Sequence, residues 1–201
     1  GGGVPALRRV GVEDAARVQQ IERRQRTAYR TQRHGAVEHR LGRVAVGGDS
    51  AGGYLSAVIS QEKRRLGETG PVLQMMIYPA VVWRMETASM ETFGASYPLN
   101  KAMMYYFRDH YFADHERETL DLRGSPGLNK DLSRLPPALI YSAGHDPLVD
   151  QGRDYAEGLK AAGVPVTYRC YDSLAHCFTA MSGAVPAART ALFEIIDDLR
   201  Q

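Results

Sequence analysis

The chain is 201 residues long, 44% hydrophobic and 24% charged, with 20 Gly, 10 Pro and a net charge of +2. That mixture excludes a disordered, collagenous or low-complexity chain, and no stretch approaches the roughly 18 uninterrupted apolar residues of a membrane span. Length predicts one domain, while a pair of cysteines without CxxC spacing (Cys170 and Cys177) and an N-terminus without a signal-peptide run point to a soluble, cytoplasmic protein.

Residues 1–43 carry ten Arg against four acidic residues. A basic stretch can meet nucleic acid, but no nucleic-acid motif accompanies it, and Val12, Ala15, Ala16, Val18 and Ile21 recur at helical spacing. The stretch therefore reads as an amphipathic helix over 12–33 with an Arg-rich solvated face, and no nucleic-acid partner is expected. A buried strand is predicted at Arg43–Val46, stopped by Gly47 and Gly48. A helix follows from Ala51 to about Arg65, with Leu55, Val58 and Ile59 on its apolar side and Gly67 as its stop. Val72–Tyr78 is the second strand, ending at Pro79.

The alternation breaks over 84–134, which holds one helical stretch, Lys101 to about Phe112, rich in aromatic residues. A segment of this length between strands reads as a helical insertion, and insertions often carry specificity. Strand, helix, strand and helix then resume at 138–141, 151–162, 164–171 and 185–199. Short apolar strands alternating with helices indicate an α/β fold with a parallel sheet flanked by helices on both faces.

Ligands of such sheets bind beyond the carboxyl ends of the strands. After the first strand comes Gly48-Asp49-Ser50-Ala51-Gly52, after the third Gly144-His145-Asp146-Pro147, and after the fourth Ala175-His176-Cys177. G-x-S-x-G between a strand and a helix is the signature of a strained turn that lifts a serine hydroxyl into solvent. Gly48 and Gly52 let the two backbones come close, and the Ala51 amide opens the helix, where it suits an oxyanion. The glycines match neither a phosphate-binding loop nor a dinucleotide fingerprint. Ser50, Asp146 and His176 also follow one another in the order nucleophile, acid, base. His145 is a rival base, but beside the acid in sequence it reads as a wall residue.

The segments Gly47-Gly48-Asp49-Ser50-Ala51-Gly52-Gly53, Ile77-Tyr78-Pro79, Leu135-Pro136-Pro137-Ala138, Asp146-Pro147-Leu148, Ala161-Ala162-Gly163-Val164-Pro165-Val166 and His176-Cys177-Phe178 are similar to those of the hormone-sensitive-lipase family of bacterial carboxylesterases. The resemblance runs from about Gly11 to the C-terminus. It implies an α/β-hydrolase catalytic domain over 1–201, cleaving short-acyl carboxylic esters without cofactor or metal. Ser50 would be nucleophile, His176 base and then acid, and Asp146 the residue orienting it. Ala51, Gly2 and Gly3 would supply the oxyanion hole. Asp49, Trp83, Tyr97, Tyr105 and Phe107 would contact the small-molecule ester.

Two positions depart from the family pattern. Cys177 stands where the family usually has Gly, and the His-Gly-Gly-Gly segment is reduced to Gly1-Gly2-Gly3 at the start of the chain. The family's cap helices and first strands have no counterpart. The expectation is therefore reduced activity and an unpaired edge at Arg43–Val46 through which copies self-associate. The alternative is a non-catalytic binding module on the same fold.

Overall fold

The short apolar runs bounded by glycine and proline pair with one another, all in parallel. In the computed structural model, which describes residues 44–83 and 86–200, they form strands β1 (Ala45–Asp49), β2 (Leu73–Ile77), β3 (Ala138–His145) and β4 (Val166–Ala175). The sheet order is β1-β2-β3-β4. The described residues fall within one compact unit, Gly42–Gln201. The helix expected over 12–33 lies outside them.

Helix α1 (Ala51–Arg65) connects β1 to β2. Helices α2 (Ala88–Phe93), α3 (Lys101–Tyr111) and α4 (His115–Glu118) occupy the insertion, where the sequence pattern gave one helix. α5 (Val149–Ala161) connects β3 to β4, and α6 (Pro186–Arg200) closes the chain. The two extra helices start at side-chain caps: Thr87 accepts from the Met90 amide and Asp114 from the Arg117 amide. Each is too short to show a periodic apolar face.

Strand ends moved where pairing overrode local propensity. β1 continues through Gly47 and Gly48, which the sequence marked as its stop, because they align with Met75 and Met76 of β2. β3 runs on to His145 and β4 to Ala175, each four residues past its expected end. Near those ends the β3–β4 register shifts between Ala143 and His145. Gly144 allows it: a Cβ there would lie 2.6 Å from the Asp172 Cα.

Side chains alternate across the sheet and build a core on each face. Met76, Ala138 and Ile140 pack with Ala57 of α1 and Ala156 and Leu159 of α5. Ile77, Leu139, Tyr141 and Ala143 pack on the other face with Ala188, Ala191 and Ile195 of α6. Such full burial stabilises by roughly 1.5–3 kcal/mol per large side chain.

α1 does not bury the face its sequence suggested. Leu55 and Ile59 are 46% and 42% exposed, whereas Gly53, Tyr54, Ser56, Ala57, Ser60 and Gln61 are buried. Small residues let the helix lie close on the sheet, and the polar ones are satisfied there. Ser56 Oγ donates to Gly52 O at 2.9 Å, and Gln61 Nε2 to Pro126 O at 2.9 Å and to the Tyr155 hydroxyl at 3.0 Å. Among the described residues β1 is hydrogen-bonded to β2 alone.

Candidate active site

Where β1 turns into α1, Ser50 holds φ 51° and ψ −112°, a conformation that L-residues rarely adopt. Its N–H donates to Ile77 O at 2.8 Å, which pins the turn to the end of β2. Gly48 is required here, since a Cβ on it would lie 2.7 Å from the Gly52 Cα. Gly52 contributes its bare backbone to that approach, whereas its own Cβ would meet open space. The Ala51 amide is in the first turn of α1, where helix N–H groups have no carbonyl of their own.

Two residues from the ends of β3 and β4 complete a hydrogen-bonded line to the serine. Asp146 follows β3 directly, is 0% exposed and accepts the Leu148 amide at 2.9 Å on Oδ1. Its Oδ2 meets His176 Nδ1 at 2.7 Å, and His176 Nε2 stands 3.0 Å from Ser50 Oγ. His176, just past β4, is 3% exposed. Burial opposes a charged imidazole, but the hydrogen bond and charge of Asp146, joined by the Cys177 side chain, outweigh it and push the pKa up to about 9.

The Ser50–His176 pair opens on a cleft of about 530 Å³ lined by Tyr54, Trp83, Phe107 and Tyr111 among others. Trp83 stacks on Tyr111 at 6.3 Å and meets Phe112 edge-on at 5.5 Å, so residues of β2's exit and of α3 make one aromatic wall. A larger concavity of about 690 Å³, lined by Val82, Gln151 and Tyr155, holds none of Ser50, Asp146 and His176. Chemistry rather than size makes the smaller cleft the candidate site.

Of the residues expected to contact substrate, Trp83 and Phe107 line the cleft. Tyr97 does not: it is 87% exposed beside α3 rather than turned inward. Tyr105 faces another concavity with Lys101 and Arg108, because two residues before Phe107 it leaves the helix by the opposite face. Asp49 is not among the residues lining the cleft and accepts the Tyr78 hydroxyl at 3.2 Å. His145 packs against Phe93 at 5.5 Å. Gly2 and Gly3 lie outside the described residues.

The sequence reading gave no role to Tyr78. Its ring lies 4.7 Å from the His176 ring, centroid to centroid, and its hydroxyl also bonds Thr179 Oγ1. The only sequence signal was its place between Ile77 and Pro79. Cys177 holds φ 60°, ψ 22°, the left-handed region that glycine occupies at no steric cost. The imidazole beside it keeps both its partners. Among the described residues no group of three or more His, Cys, Asp or Glu is placed to hold a metal ion, and no helix is long and apolar enough to cross a membrane.

Comparison with known proteins bears on the family. The model of the alpha/beta hydrolase fold family matches residues 10–180. Carboxylic ester hydrolase LipN of Mycobacterium tuberculosis is 43% identical over 163 residues, covering 79% of this chain and 43% of LipN. An ethyl acetate hydrolase of Pseudomonas putida is 34% identical over 160 residues, covering 79% of this chain and 50% of that protein. Among solved structures, the thermostable carboxylesterase EstE1 from a metagenomic library superposes with a TM-score of 0.75 at 37% identity, covering 82% of this chain and 58% of that one. The chain spans about half the length of the curated relatives it matches.

Proposed function

This chain belongs to the α/β-hydrolase fold family, and on that premise we propose that it hydrolyses short-acyl carboxylic esters through an acyl-enzyme on Ser50. The observation that carries the proposal is the continuous hydrogen-bonded line from Ser50 through His176 to buried Asp146. His176 takes the serine proton as Ser50 Oγ attacks the ester carbonyl. The Ala51 N–H, at the positive end of α1, faces the oxygen that gains charge. The tetrahedral intermediate collapses with the alcohol leaving, protonated by His176, and the acyl group stays on Ser50. Water, deprotonated by the same imidazole, then releases the acid and restores the serine. Asp146 holds the imidazole in the required tautomer throughout.

Wall residues Trp83 and Phe107 bound the space for the ester's apolar groups. We place the protein in the cytoplasm, acting as one catalytic domain on a small ester rather than on nucleic acid or a membrane. The test is hydrolysis of p-nitrophenyl acetate and butyrate. Ser50→Ala should lower kcat by at least about 10³-fold, and an organophosphonate should label the parent chain at Ser50. Unchanged turnover in Ser50→Ala overturns the assignment; an unlabelled Ser50 favours a binding module.

A further inference from the structure

We propose that Tyr78 is a positioning residue that ties the Ser50 turn to the His176 loop, an inference that rests on the hydrolytic reading above. Tyr78 leaves the end of β2 at φ 38°, is fully buried and lies between the two loops. Its hydroxyl donates to Asp49 Oδ2 at 3.2 Å, the residue immediately before Ser50. Having given its one proton to that carboxylate, it accepts from Thr179 Oγ1, three residues beyond His176. Burial, and then the charge on Asp49, hold the phenol above its ordinary pKa, so it stays a donor at neutral pH. The ring meanwhile covers the imidazole at 4.7 Å and meets Phe178 edge-on at 5.1 Å, which limits rotation of His176 away from Ser50.

The chain Thr179–Tyr78–Asp49 therefore spans from one loop of the site to the other without touching the cleft. Among the described side chains it joins the two loops by a route separate from the Ser50–His176 hydrogen bond itself. Asp49, expected to meet substrate, finds its use here instead. A displacement of about 1 Å between reacting groups can cost 10²-fold in rate, so the tether acts on kcat and leaves substrate binding alone.

The experiment is a double-mutant cycle on kcat and KM for p-nitrophenyl butyrate. Tyr78→Phe keeps the ring and removes the hydroxyl; Thr179→Val keeps the shape and removes the second bond. Each should lower kcat by about 10- to 100-fold with KM unchanged, and the double variant should lose no more than the worse single one. Parent-like kcat in both variants, or losses that multiply in the double variant, overturn the tether. A second readout is the low-field NMR signal of the His176 Nδ1 proton. It should be sharp in the parent chain and broadened or shifted in both variants; a signal unchanged in both overturns the tether. If the parent chain hydrolyses no ester, the hydrolytic reading fails, and this NMR comparison alone decides the tether.

Discussion

Ser50, Tyr78 and Cys177 each hold a positive φ, and they sit on the exits of β1, β2 and β4, around one cleft. Each such conformation costs on the order of 1–3 kcal/mol and persists only where its surroundings enforce it. Here the enforcers are the Ser50 N–H to Ile77 O bond, the Tyr78 N–H to Tyr141 O bond and the burial of Phe178 after Cys177. His176 brings a pH dependence of definite sign. Its folded pKa, raised to about 9, exceeds its ordinary value of 6.5. The charged imidazole therefore stabilises the fold fully below pH 6.5, and that contribution fades as pH rises through 9. The proposed base must be neutral, so activity runs the other way. In a pH-rate profile, kcat/KM should climb between 6.5 and about 9, and Asp146→Asn should move the limb downward while cutting kcat by roughly 10⁴. A parent limb below 6.5 would contradict this assignment. Of these residues Ser50, Asp146 and His176 were legible from their neighbours in sequence. Tyr78 was not, because a tyrosine after an apolar run reads as core until its partners are known.

At the scale of the element, the turn from β1 to α1 depends on how close the helix comes to the strand. A methyl group at Gly48 would reach 2.7 Å from the Gly52 Cα and 2.8 Å from its carbonyl carbon, which is backbone and cannot swing aside. Gly48→Ala should therefore destabilise the protein by about 1–3 kcal/mol in denaturant unfolding and slow phosphonate labelling of Ser50. Parent-like values for both would show that the turn is not constrained as described. Helices α1, α5 and α6 stood within about two residues of their sequence-based limits, since Gly67, Gly163 and Pro186 punctuate their ends locally. The buried face of α1 did not follow its pattern: Leu55 and Ile59 are exposed and Val58 is only half-buried. Close packing onto a sheet selects small residues such as Gly53 and Ala57, and hydropathy cannot register that choice.

For the whole molecule, the open question in the sequence was where the sheet ends. Among the described residues β4 lies at one end of the order and β1 at the other, and Val44 beside β1 is exposed. Among the described residues β1 is paired on one side only, and we propose that copies pair through this edge. Light scattering across a concentration series should show mass rising above 22.2 kDa; a monomer at all concentrations would remove self-association through this edge. The α/β class, the order of the four strands with α1, α3, α5 and α6, and the candidacy of Ser50, Asp146 and His176 were readable along the chain. Each depends on residues near one another in sequence: apolar periods, glycine at tight turns, a serine between strand and helix. The distances of 3.0 and 2.7 Å that join the triplet, the separation of Tyr97 and Tyr105 from the cleft and the tether through Tyr78 were not. They arise from strands more than twenty residues apart being laid side by side, and the register and twist of that pairing are set by the packing of the whole core.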